Sequence, residues 1–246
     1  MNLIGDYHTH TVYSHGMGSI EENVKAAIDK NLEVIAITDH GPRSEYGVDK
    51  KSFKKMRLEI DQLSKKYQNQ IKILLGVEAN ILDVEGNLDI DIDFLSESDI
   101  ILAGFHFDII YREKLEKIRM KLGRRTRIKH YIDEDIYEEL KQVNTKSVIN
   151  ALNKYDINIL THLGDKYPVN IEKIAAIAQK HNTYLEINNF HRYLNCYQIN
   201  KILKYKNLKF VVNSDAHRPK DVGNIKIAIK TLEKSNIDIT RVVNIK

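Results

Sequence analysis

Histidines carry the chemistry in this 246-residue chain, because of where they fall. His8 and His10 lie two apart in LIGDYHTH, and in an extended backbone residues i and i+2 project from one face. One metal ion could take both imidazoles, although an isolated His-x-His also occurs as plain surface polarity. Similar residues follow other apolar runs. Asp39-His40 follows VIAIT, Glu78 follows IKILLGV, His106 follows DIILAGF, His162 follows INIL, and Asp215-Ala216-His217 follows KFVVN. Of the ten histidines, seven (8, 10, 15, 40, 106, 162 and 217) sit at or just after such a run, which is hard to reconcile with a purely structural use. Imidazole and carboxylate donors suit zinc, manganese or iron(II), and a carboxylate can bridge two ions, so Glu78 and Asp215 are the bridging candidates. Thiolates play no part, so a closed structural zinc site of the cysteine kind is excluded and the cluster reads as catalytic.

These residues need a scaffold that gathers strand ends. Seven short apolar runs, at 3–8, 34–38, 71–77, 99–105, 157–160, 183–188 and 209–213, alternate with segments of helical spacing near 19–30, 50–67, 145–154, 170–181, 195–205 and 221–234. That alternation predicts parallel strands with helical crossovers, and in α/β barrels the C-terminal strand ends form the active site. Ser19 with Glu22 three residues later marks a helix start, and ILDVEGNLDI predicts a short hairpin around Glu85-Gly86-Asn87. Residues 108–145 are too long for an ordinary connection and form a charged insertion: 112–130 is strongly basic and DEDIYEEL acidic, a pattern that also suits solvated helix faces.

Length and composition set the remaining bounds. One domain spanning 1–246 is expected, without a Pro/Gly-rich linker or an internal repeat. No stretch approaches a membrane span, the N-terminus lacks signal-peptide features, and the lone Cys196 cannot form an internal disulfide, so a cytoplasmic protein is expected. A net charge of +4 is compatible with a phosphorylated ligand without requiring nucleic acid. His130 in the insertion, His181 near a helix end, Cys196 and the thirteen tyrosines read as surface or packing residues.

With these residues laid out, the sequence resembles the PHP superfamily, named for its polymerase and histidinol-phosphatase members, and is most similar to its YcdX-like branch. The matching segments are DYHTHTVYSHG (6–16), AITDHGP (36–42), GVEANI (76–81), LAGFH (102–106), THLG (161–164), LEINN (185–189) and SDAH (214–217), in family order over nearly the whole chain. The resemblance implies a distorted (βα)7 TIM-like barrel with three divalent ions. His8, His10, Glu78 and Asp215 would hold one, Glu78, His106 and His162 a second, and His15, His40 and His217 the third. Asp39 of the TDH motif would orient ligands, and so joins Glu78 and Asp215 as a carboxylate serving catalysis. Two departures stand out: THLGDK replaces a His-Pro-Gly pattern, and the basic insertion has no counterpart in compact members.

The implied chemistry is attack on phosphorus by a hydroxide shared between metals. Arg192 and His191, with Lys166 and Arg218, are candidates for gripping the phosphate. A small phosphomonoester is the expected substrate, such as a sugar, nucleotide or amino-alcohol phosphate, histidinol phosphate included. The alternatives are a nuclease acting on oligonucleotide ends, suggested by the basic insertion, a C–N hydrolase of the amidohydrolase kind, and a metal-stabilised accessory domain. The nine competent ligand positions favour catalysis, and nucleic acid is not the favoured partner.

Overall fold

The computed structural model describes residues 1–106, 134–165 and 167–246. Lys166 and most of the expected insertion, residues 108–133, lie outside the described residues. The elements run β1 (Gly5–Asp6), α1 (Ile20–Asp29), β2 (Val34–Ile37), α2 (Lys50–Lys66), β3 (Lys72–Asn80), α3 (Ile92–Glu97) and β4 (Ile100–Gly104). They continue with α4 (Glu134–Lys154), β5 (Ile159–Leu160), α5 (Ile171–Ala178), β6 (Tyr184–Asn188), α6 (Cys196–Ile202), β7 (Phe210–Asn213) and α7 (Lys226–Glu233). All seven strands pair in sequence order and in parallel, as the alternation of apolar runs and helical segments predicts.

The strand period of two decides what fills the barrel. Ala36, Ile100, Leu102, Ile159 and Val211 pack together inside, with Leu74 and Tyr184 against them. The alternate positions, such as Ile35, Leu75, Ile101, Leu185 and Val212, pack outward in the larger core shared with the helices. Each fully buried Ile or Leu in these layers contributes about 1.5–3 kcal/mol. Following the inward positions toward the C-terminal ends, Leu74 leads to Glu78 on β3, Tyr184 to Glu186 on β6, and Val211 to Asn213 on β7. An apolar floor therefore carries a polar upper layer.

The barrel is nearly closed. At its upper edge Thr9 bridges Ala216 in parallel, and His10 N donates to Ala216 O at 2.8 Å. Lower down, where β1 and β7 diverge, the buried Asn244 amide splices them by donating to Gly5 O (2.7 Å) and Val212 O (2.6 Å) and accepting from Val212 N (3.0 Å).

Local signals hold in part. The Ser19–Glu22 capping box forms, and Ile81 pairs with Leu88 across the turn at Gly86, whose φ of +76° suits glycine. Helix α4 begins at Glu134, before the expected 145, so the acidic half of the expected insertion is helix. The segment expected as a helix over 221–234 is a 3-10 turn at Pro219–Asp221 followed by α7. Among the described residues, no helix is long and apolar enough to cross a membrane.

Candidate metal centre

Glu78 stands at the centre of the upper barrel mouth. Its Oε1 lies 2.7 Å from His162 Nε2, 3.1 Å from His106 Nε2 and 3.3 Å from His8 Nε2. Oε2 faces His40 Nδ1 at 3.0 Å and His10 Nε2 at 3.6 Å. Five imidazoles from four strand ends thus converge on one buried carboxylate. Asp215 closes the other side, 3.3 Å from His10 Nε2 and 3.5 Å from His8 Nε2. Within the described residues, His8 Nε2 and both ring nitrogens of His10 are buried without a hydrogen bond. Leaving buried polar atoms unmade is costly, whereas a divalent cation would occupy these lone pairs, so the donors fit an N/O-ligated ion. Three donor groups lie close enough to share an ion: His8 with His10 and Glu78; His40 with Glu78 and His106; and His10 with His15, His40 and His217.

Four further carboxylates hold the loops that carry these donors. Glu186 accepts from His8 Nδ1 (2.7 Å), Asn213 Nδ2 (3.0 Å), His162 N (2.8 Å) and Asn188 Nδ2 (2.9 Å), filling its lone pairs. Because a carboxylate only accepts, His8 carries its shared proton on Nδ1 and turns Nε2 toward Glu78 and Asp215. Asp6 accepts from Ser214 N (3.2 Å) and Gly223 N (2.8 Å), tying down the Ser214–His217 loop. Asp39 accepts from Thr11 N (2.8 Å) and Thr11 Oγ1 (2.6 Å) and also binds the Ser14 hydroxyl. Asp39 thus fixes the loop between His10 and His15, and its oxygens are occupied there. Asp89 serves the loop after β2. Glu186 is one site residue that sequence reading missed. The signal was present, since it is the lone carboxylate inside the sixth apolar run and lies at an inward position.

The left-handed backbone at His162 (φ 29°) and Asp215 (φ 55°) costs about 1–3 kcal/mol each for non-glycine residues. Both are pinned, His162 through its N–H to Glu186 and Asp215 through Asn188 Nδ2 at 3.1 Å.

His15 is exposed at the rim, its ring centroid 4.2 Å from that of His217 and 4.8 Å from that of His40. Gly16 makes this possible, since a Cβ there would sit 2.6 Å from the His10 carbonyl. A cavity of about 870 Å³ opens over the cluster and is bounded in part by His191, Arg192, Arg218 and Phe190. Of the expected phosphate-gripping residues, His191, Arg192 and Arg218 are thus brought to the site, and Lys166 is outside the described residues. His191 donates from Nδ1 to Asp165 (2.8 Å) and directs Nε2 toward Asp215 Oδ2 at 3.6 Å.

Burial would push the Glu78 carboxyl up, but the His106, His8, His40 and His162 imidazoles outweigh it and hold Glu78 well below the usual carboxylate range. Asp215 is held well below that range in the same way, burial being outweighed by His8 and His10. Burial lowers the His10 imidazole well below its usual value, with His40 and His217 adding to the effect, so its lone pairs stay available. At His8 burial is outweighed by Asp215, Glu186 and Glu78, which hold the imidazole well above its usual value. His8 must therefore shed a proton before it can ligate an ion.

Residues 6–190 match the family model described as the PHP domain. A probable phosphatase of Thermoanaerobacter sp. (strain X514) is 33% identical over 99% of this chain and 91% of its own length. Another, from Caldanaerobacter subterraneus subsp. tengcongensis, is 31% identical over 99% and 88%. Among solved structures, the fold is similar to a putative histidinol phosphatase of Listeria monocytogenes (TM-score 0.62, 16% identity, 89% of this chain and 97% of that one). It is also similar to the histidinol phosphate phosphatase of Lactococcus lactis, solved with zinc, L-histidinol and phosphate (TM-score 0.57, 16% identity, 97% and 95%). With the family match covering most of the chain and a relative one-third identical along nearly all of it, this chain belongs to the PHP domain family.

Proposed function

We propose that the protein is a metal-dependent phosphoesterase acting on small phosphomonoesters. The observation that carries this reading is Glu78, one buried carboxylate met by five imidazoles, with Asp215 beside it. His8, His10, Glu78 and Asp215 would hold one ion, Glu78, His106 and His162 a second, and His15, His40 and His217 a third. The donor set suits zinc, manganese or iron. Bound divalent ions would supply Lewis acidity and bring the pKa of a water toward neutrality. Arg192 and Arg218 suit the phosphoryl oxygens, because a guanidinium presents paired donors to them. His191, oriented by Asp165, joins them as a candidate for gripping the phosphate. The cavity exceeds a bare phosphate, and Phe190 and Ile227 offer apolar surface to the rest of a small ester.

The test is a panel of phosphomonoesters and short oligonucleotides, with manganese, zinc or iron supplied. Free phosphate from monoesters with intact oligonucleotides is the expected result. Oligonucleotide cleavage without monoester hydrolysis would favour a nuclease, and inertness toward both would leave an accessory role.

The third ion is tested separately. His15→Ala should lose about one metal equivalent, because of the four imidazoles grouped there His10 and His40 also face Glu78, which leaves His217 as the one ligand that this site does not share. Activity should fall about tenfold or more, with little change in melting temperature, since His15 is exposed. Wild-type metal stoichiometry and rate in the variant would make His15 a plain loop histidine.

A further inference from the structure

We infer that Asp89, which lies outside the metal cluster, decides which ring nitrogen of His106 carries the proton and which turns a lone pair toward Glu78, by fixing the orientation of the Asn80 amide. The inference rests on the reading of His106 as a metal ligand. Asn80 is fully buried at the end of β3, and its side chain can present either an acceptor or a donor to its neighbours. Asp89 can only accept. It takes Asn80 Nδ2 at 2.6 Å and Asn80 N at 2.8 Å, so the amide nitrogen is committed to Asp89 and Oδ1 is turned the other way. That oxygen meets His106 Nδ1 at 2.5 Å. An oxygen acceptor at this distance requires the proton on Nδ1, which leaves Nε2 facing Glu78 Oε1 at 3.1 Å and His162 Nε2 at 3.2 Å. Were the amide reversed, its NH₂ would require a bare Nδ1, and the neutral imidazole would carry its proton on Nε2, where a ligand needs a lone pair.

The same carboxylate reaches the loop behind a second donor. Arg43 N donates to Asp89 Oδ2 at 3.1 Å, and Gly41 packs so closely that a Cβ there would lie 2.4 Å from Asp89 Oδ1. Gly41 N in turn donates to Glu78 O at 2.9 Å. The backbone just after His40 is thus clamped between Asp89 and β3. Asp89 is a positioning residue for donors from two strand ends.

The test uses Asp89→Asn and the exchange variant Asn80→Asp/Asp89→Asn in the full chain, with zinc affinity measured by chelator competition alongside phosphate release. Asp89→Asn leaves the pair of side chains with no fixed donor order, and zinc binding should weaken about 10- to 100-fold. In the exchange variant, the carboxylate now at position 80 again offers an acceptor to His106, and the amide now at position 89 supplies the donor between the pair, so part of the loss should be recovered, while the bond from Arg43 N to the same atom stays lost. A residue that merely packs would show no such rescue. Wild-type zinc affinity in Asp89→Asn, or an exchange variant no better than the single one, would overturn the inference. Should the variants not fold, nitrogen-15 spectra of the wild-type zinc-loaded protein decide it: a proton on His106 Nδ1 is expected, and an unprotonated Nδ1 would overturn it. Failure of the wild-type protein to take up zinc would instead overturn the metal reading, and the His106 Nδ1 proton resonance, compared between the metal-free wild type and Asp89→Asn, would still decide the role of Asp89, an unchanged resonance overturning it.

Discussion

Glu78→Gln is expected to cut phosphatase activity by about 10²–10³-fold and to strip the protein of most of its metal, because charge stabilisation built on that carboxylate is lost at once. The isosteric amide keeps the shape but removes the negative charge on which five imidazoles converge, and it cannot bridge two cations. Stability should respond as well. The folded-state pKa of Glu78 is held below its unfolded value, so its contribution is present above the unfolded pKa and disappears as pH falls through the folded one. The metal-free variant should therefore melt below the metal-free wild type at neutral pH, and the gap should narrow on acidification. Breaking a buried pair of this kind costs about 3–5 kcal/mol. A folded Glu78→Gln protein with wild-type metal content and rate would remove Glu78 from the centre of the site.

Much of this was legible in the sequence because strands and metal ligands both leave local marks. Six of the seven apolar runs contain their strand, since a fully buried parallel strand needs a short continuous apolar segment, and β3 runs three residues past its apolar run to Asn80. The nine expected ligands also come together, because Glu78 lies near the end of β3, the others follow their strands, and the barrel gathers those ends. What escaped depends on tertiary context. Helix α3 has six residues and buries only Phe94, so it has no apolar period to read. Glu186 looks like an interruption in an apolar strand until the barrel shows that it faces inward, under His8 and His162. The expectation that His15, His40 and His217 form an isolated trio needs adjustment. His10 joins that group, and His40 Nδ1 is also 3.0 Å from Glu78 Oε2, so the third donor set shares residues with the other two. Spacing in sequence cannot reveal such sharing, because the four segments meet only when β1 and β7 close the barrel. Asp89 was equally invisible, nine residues beyond Asn80 across a turn whose geometry brings the two side chains together.

Removing the metal should have the largest effect of all. Dialysis against a strong chelator is expected to bring phosphomonoester hydrolysis to background, since among the described residues the serine lining the cavity, Ser214, commits its hydroxyl to Asp6 below the site, no imidazole base is bonded to it, and Cys196 does not line the cavity. The barrel should persist, because its core of Ile, Leu and Val owes nothing to the ions. Far-ultraviolet circular dichroism would report that directly. The most decisive measurement is phosphate release by this stripped protein as manganese, zinc or iron(II) is titrated back, followed together with bound metal by elemental analysis. Activity should return in proportion to the ions taken up by the wild-type chain and should not return in Glu78→Gln. Undiminished hydrolysis by fully stripped, folded protein would contradict a metal-dependent phosphoesterase, as would metal uptake that restores no hydrolysis of any phosphomonoester.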